Sequence, residues 1–140
     1  MGDLPNKYVP KSLSESDKAK QIKDIKMTSR KYKEGKKLTK EDFSRPKVAM
    51  TNRDSSYVKQ FKAKYDMKVS IPAISKRFGI SEAGLRKIYD KGVGAFLSSG
   101  SRPNQTASSW AYARIASVLM GGKARDVDSE IVKQYNIPKL

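Results

Sequence analysis

The chain contains no cysteine and no histidine. The first absence excludes disulfides, zinc ribbons and thiol catalysis. The second removes the commonest general base and metal ligand. Acidic residues are scarce, with 14 Asp and Glu set against 30 Lys and Arg, a net charge of +16 over 140 residues. Apolar residues make up only 37% and the mean hydropathy is −0.69. Such a chain forms a single small core, and not from its whole length. The most apolar stretch, Trp110 to Met120, is short and holds Arg114, so no transmembrane helix is expected. The first residues, Met1-Gly2-Asp3-Leu4-Pro5-Asn6, lack the basic and apolar regions of a secretory signal. Asn6 stands where a myristoylation signal requires Ser or Thr. The lack of cysteine fits a reducing compartment.

What is present is basic charge, and it is front-loaded. Residues 1–69 carry 19 Lys and Arg against 9 Asp and Glu. Between Lys7 and Lys40 there are 12 basic and 4 acidic residues, with few apolar ones besides Ile22, Ile25, Met27 and Leu38. Burial of so little apolar surface does not offset the entropy of ordering. Residues 1–54 therefore read as a basic, largely irregular arm. Ser12 with Glu15, or Ser14 with Asp17, is placed to cap a transient helix over about 15–28. Thr39 with Asp42 is placed to cap a short turn before Pro46. Such an arm suits phosphates or an acidic protein surface; the plainer reading is a solubilising tail.

From Ser55 the pattern becomes regular, and residues 55–140 read as a compact helical domain. Tyr57, Val58, Phe61 and Tyr65 recur at helical spacing over about 55–66. Ser70 opens a second helix, Ile71 to Phe78, with Pro72 in its first turn and a stop at Gly79. Ser81 caps a third, Glu82 to Lys91, closed by Gly92. This is a helix-turn-helix-like unit with a seam of Ile74, Phe78, Ile80, Leu85 and Ile88. Its third helix offers Arg86 and Lys87 to base edges or phosphates. Gly84 weakens that helix, and Glu82 opposes phosphate. A structural helix pair is the plainer reading.

Lys91 to Thr106 reads as a Gly/Ser-rich connector whose Phe96 and Leu97 plug the core. A backbone anion nest near Ser98–Arg102 is the functional alternative. No Gly-Lys-Ser/Thr follows, so a nucleotide P-loop is not supported. A helix from about Gln105 to Met120 follows, capped by Asn104 or Thr106, with Trp110 as a core anchor. Arg114 is expected to seek loop carbonyls or a carboxylate such as Asp126 or Asp128. A last helix is expected over about 124–135. Its Asp126, Asp128 and Glu130 point about 200° apart at successive positions, so they do not converge on a metal.

The runs from Gly92 to Thr106, from Ser109 to Ser117 and from Met120 to Asp128 resemble a domain family of unknown function. That family occurs in nucleocytoplasmic large DNA viruses, including chlorella-virus and mimivirus relatives, and in some phages. Tyr8-Val-Pro-Lys-Ser-Leu-Ser, Asp17 to Lys23 and Arg45-Pro-Lys-Val-Ala are similar to the front of the same proteins, so the resemblance covers about residues 8–135. It carries no assigned activity. It implies a viral protein, located in the virion and in host cytoplasm or nucleus during infection.

The overall expectation is a mainly α, non-enzymatic protein with no metal and no cofactor, since no catalytic set converges. Two roles follow. One is a minor capsid or internal virion component whose arm contacts other virion proteins or the genome. The other is a packaged, largely non-specific duplex-DNA-binding protein. The candidate cations are Lys59, Lys62, Lys64, Lys76, Arg77, Arg86, Lys87 and Arg102. The candidate structural residues are Gly79, Gly92, Gly94, Trp110 and Arg114.

Overall fold

The computed structural model describes residues 4–48 and 55–140. Gly2 and the junction expected at 54/55 lie outside the described residues. The helices are α1 (Glu15–Lys33), α2 (Ser56–Tyr65), α3 (Ile71–Phe78), α4 (Glu82–Ser99), α5 (Ala107–Leu119), α6 (Lys123–Val127) and α7 (Ser129–Gln134). A 3-10 helix spans Lys40–Phe43. No strand occurs among the described residues, where Ser44 and Thr106 form an isolated antiparallel bridge. The protein is mainly α, as its composition indicated.

The chain divides into two compact units. The first joins Met1–Asn52 to Val93–Trp110, and the second joins Arg53–Gly92 to Ala111–Leu140. The division expected from sequence, an arm of 1–54 before a domain of 55–140, follows the chain instead. The front of the chain groups with a later segment through polar ties from Gln21, Ser29 and Arg45 together with the packing of Leu38.

In the first unit, Ser14 caps α1 by accepting a hydrogen bond from the Asp17 N–H at 3.1 Å. The helix continues past 28 to Lys33, because its buried face carries Gln21, Ile25, Thr28 and Ser29 rather than an apolar stripe. Thr28 Oγ1 donates to the Asp24 carbonyl within the helix at 2.8 Å, and the other two polar residues reach carbonyls far along the chain. Gln21 Nε2 donates to the Ser101 carbonyl at 3.0 Å, and Ser29 Oγ donates to the Ser98 carbonyl at 2.6 Å. A period search for apolar residues misses such a face. Thr39 and Asp42 hold the 3-10 helix, with the Thr39 N–H donating to Asp42 Oδ2 at 2.7 Å. Residues 44–48 are zipped to 104–106. Arg45 N–H donates to the Gln105 carbonyl, and Asn104 exchanges two side-chain hydrogen bonds with the Val48 backbone. Phe96, Leu97 and Ala107 form the apolar centre, with Leu38, Val93 and Trp110 packed against it.

The second unit has the larger apolar core. Phe61, Ile74, Leu85, Ile88, Ile115, Val118 and Leu119 are fully buried there, joined by Ile71, Ile80, Ile131 and Ile137. The expected seam between α3 and α4 is part of this core, with Phe78 packed on it from the edge. Gly79 turns the chain at φ 68°, and Ser81 Oγ accepts from the Gly84 N–H at 3.2 Å to cap α4. Ser55 and Ser70 occupy their cap positions without side-chain capping bonds. In the first unit, Thr106 and Ser109 cap α5 reciprocally, each hydroxyl accepting the other's N–H at 3.0 Å.

Two sequence expectations are corrected. The connector expected from Lys91 is helical as far as Ser99, so α4 runs straight through Gly92 and Gly94. Glycine inside a helix costs about 1 kcal/mol each against alanine, and close packing offsets this at Gly92. A Cβ there would lie 2.6 Å from the Ala111 Cα. The real stop is Gly100, at φ 106°, where a Cβ would meet Ile25 Cγ2 at 2.8 Å. The helix expected over 124–135 is two short helices. It breaks at Asp128, whose backbone leaves the helical region and whose carboxylate is held by Arg114.

Candidate nucleic-acid interface

The polar pins on α1 fix which face it turns outward. Lys23, Lys26, Arg30 and Lys33 lie on the side of α1 away from Gln21, Ile25 and Thr28 and are all exposed. Their spacing places them within about 80° of arc along about 15 Å of helix. Among the described residues none of the four has an ion-pair partner. Neighbouring Lys18 and Lys20 pair instead with Glu15 and Asp17.

Asp24, between Lys23 and Lys26 in sequence, stands about 100° from Lys23 and about 160° from Lys26 around the helix, so helical phase keeps it off this face. Its Oδ2 accepts from Arg45 Nη1 at 2.8 Å. Arg45 is completely buried at its side chain, donating also to Ser101 Oγ at 3.0 Å and to the Phe96 carbonyl at 2.6 Å. Its guanidinium lies 4.1 Å from the centre of the Phe96 ring. Burial pushes the Arg45 pKa down, and the Asp24 carboxylate counters that. A buried guanidinium needs such a counter-charge and such acceptors. The acid on the stripe's own face is Glu34, four residues after Arg30, and it pairs with Lys36 at 3.1 Å.

The cations singled out from sequence fall on several elements. Lys59 and Lys62 share one face of α2, while Lys64 is turned to the far flank and lies 5.5 Å from the Tyr65 ring centre. Lys76 is exposed on α3. Arg77 is taken up locally, donating to the Tyr65 carbonyl at 2.6 Å and lying over the Tyr65 and Phe78 rings. Arg86 lies over Tyr89, with Glu82 and Asp90 one turn away on either side. Lys87 lies over Tyr135. That ring also seals the helix at Gly84, where a Cβ would be 2.8 Å from Tyr135 Cβ. The α4 face expected to read DNA is thus partly occupied by the chain itself and carries mixed charge. Arg102 belongs to the first unit and is exposed.

In the stretch Ser98–Arg102 considered for an anion nest, the Gly100 N–H donates to the Ala95 carbonyl at 3.2 Å. The Ser98 carbonyl accepts from Ser29, and Ser101 Oγ accepts from Arg45 and donates to the Arg102 carbonyl. Arg114 holds Asp128 with two bonds of 2.7 Å, choosing it over Asp126. Trp110 is half-buried and meets Tyr8 edge-on at 5.8 Å.

Compared with known proteins, residues 5–135 match the model of a family described as a family of unknown function, DUF5824. The chain belongs to this family. Comparisons with curated proteins and with solved structures gave no match. In this member of DUF5824, two of the segments that entered the sequence resemblance, Arg45-Pro-Lys-Val and Ser101-Arg-Pro-Asn-Gln-Thr, are hydrogen-bonded to each other. The stripe Lys23, Lys26, Arg30 and Lys33 was absent from the sequence candidates. Its signal was the helical phase of the lysines, readable once 15–33 is treated as one helix.

Proposed function

We propose that this protein is a non-enzymatic nucleic-acid-contacting component of a virus particle, holding the phosphate backbone on the outer face of α1. The viral setting follows from the sequence resemblance. The nucleic-acid reading is supported chiefly by one observation: four exposed cations in phase on α1, none with an ion-pair partner among the described residues. Contacts of this kind to phosphate position a protein without reading sequence. Affinity is then steep in salt and nearly blind to base order.

The test compares the full chain with a variant in which Lys23, Lys26, Arg30 and Lys33 are all changed to Gln. Binding to random duplex DNA is followed by fluorescence anisotropy over a salt series. The variant is expected to lose about 3 to 4 from the slope of log affinity against log salt, at about 0.9 per phosphate contact. Circular dichroism checks that both chains are equally helical. Equal slopes would overturn the reading. Absence of binding by the parent chain near physiological salt would also overturn it, and would leave acidic faces of virion neighbours as the partner.

A further inference from the structure

Apart from the α1 stripe, one place in the first unit combines aromatic faces with uncommitted donors. Tyr8 and Trp110 pack edge to face at 5.8 Å, and both are half-buried. Lys7 lies 5.5 Å from the Tyr8 ring centre, and Lys7 and Arg102 are both exposed. Among the described residues the Tyr8 hydroxyl and the Trp110 indole N–H have no hydrogen-bond partner, yet neither atom is sealed from solvent. Tyrosine and tryptophan of this burial ordinarily satisfy those groups. Nor does Lys7 or Arg102 have an ion pair among the described residues. Four donors and two rings thus occur together without an acid of their own.

We infer that Tyr8, Trp110, Lys7 and Arg102 form a site for single-stranded nucleic acid, where an unpaired base stacks on the aromatic pair and its phosphate meets the two cations. This rests on the proposed nucleic-acid function and gives it a preferred strand state. Aromatic side chains interleaved with cations are what a single strand requires, because every base offers a ring face and every nucleotide a phosphate. A duplex keeps its bases stacked on each other, places none on the ring pair, and is held by the α1 stripe instead. The charges around Tyr8 agree with this. Burial raises its pKa, while Arg102 and Arg45 lie close enough to oppose that rise. The phenol therefore stays a protonated donor at neutral pH, in a field that favours an anion.

Trp110 is the single tryptophan of the chain. Its emission reports on this site alone. The full chain is titrated with a fluorescein-free oligothymidylate, following tryptophan emission, and in parallel with labelled oligothymidylate and labelled duplex, following anisotropy. Oligothymidylate is expected to quench Trp110 in step with binding, and duplex to bind without comparable quenching. The double variant Lys7→Gln, Arg102→Gln alters exposed side chains and is expected to weaken oligothymidylate binding about tenfold, with a salt slope lower by about 1.4. Duplex binding by this variant is expected to change by less than threefold. Anisotropy showing tight oligothymidylate binding with unaltered Trp110 emission would overturn the site. So would equal loss of duplex and single-strand affinity in the double variant. In both cases the α1 reading stands if the quadruple α1 variant still loses its slope. If neither nucleic acid binds the parent chain, both readings fall.

Discussion

Arg45 and Phe96 are stacked, with the guanidinium 4.1 Å from the ring centre and Nη2 donating to the Phe96 carbonyl at 2.6 Å. One residue thus touches both the ring and the backbone of a helix 51 positions later. It also holds Asp24 on α1 and Ser101 in the turn after α4. Arg45 is the polar centre that joins the front of the chain to 93–110.

Replacing Arg45 by Met keeps most of the apolar volume but strands Asp24 and the Phe96 carbonyl. Loss of one member of a buried ion pair costs about 3–5 kcal/mol. Arg45→Met is expected near the lower end, because Asp24 is partly exposed and regains water. Arg45→Lys keeps the charge but not the fork, so it is expected to fall between parent and Arg45→Met. Chemical denaturation followed by circular dichroism measures both. A change under 0.5 kcal/mol in Arg45→Met would show that the cluster does not hold the unit together.

Gly92 and Gly94 both lie inside α4, and alanine has opposite consequences at each. At Gly92 a Cβ would come within 2.6 Å of the Ala111 backbone. Overpacking of this kind costs about 1–3 kcal/mol, more than the propensity gain of about 1 kcal/mol. At Gly94 the nearest atom is the Tyr32 hydroxyl at 3.3 Å, at the end of an exposed side chain that yields easily. Gly92→Ala is therefore expected to lower the melting temperature, and Gly94→Ala to leave it unchanged or raise it.

These two glycines also show why part of the fold was hidden in the sequence. Local rules end a helix at a Gly-rich run, and Gly92 to Gly100 looks like a loop by those rules. Phe96 and Leu97 were legible as core plugs, but the helix carrying them depends on contacts with Ala111 and Ile25 that no local window contains. Gly79 was legible because it acts locally, turning the chain at φ 68° between two apolar helices. The same contrast holds for the candidate interface. The basic charge of the first 40 residues is plain in composition, whereas the stripe needs one helix as far as Lys33, whose inner face is held by Gln21 and Ser29 bonds to carbonyls 80 and 69 residues away. Arg114 lay between these cases. Its need for a carboxylate was readable, and geometry selected Asp128.

Asp42 gives the protein an acid-sensitive joint. The Thr39 N–H holds its pKa below the ordinary 3.8, and the Lys31 ammonium at 3.2 Å adds to this against the opposing effect of burial. A carboxyl lowered in the folded state contributes stability above its unfolded pKa. That contribution disappears as pH falls through the folded value. Asp42→Asn is expected to cost about 1–3 kcal/mol at pH 7, with the gap to the parent closing below about pH 4. Urea unfolding at a series of pH values measures the gap. A constant gap from neutral to acid pH would mean that the Asp42 charge contributes nothing.

Arg86 and Lys87 were the cations most suggestive of groove reading, and the structure gives both of them ring partners. Arg86 covers Tyr89 at 5.2 Å and Lys87 covers Tyr135 at 5.4 Å. Glu82 and Asp90 sit at the i−4 and i+4 positions of Arg86, so the local field is close to neutral. Phosphate approaching that face meets carboxylates as well as cations. The double variant Arg86→Gln, Lys87→Gln is therefore expected to change duplex affinity by about twofold or less. It is expected to lose stability by about 0.5–1 kcal/mol per cation–ring contact. Anisotropy and thermal unfolding on the same preparations separate the two effects. A loss of duplex affinity as large as that of the α1 quadruple variant would return the interface to α4.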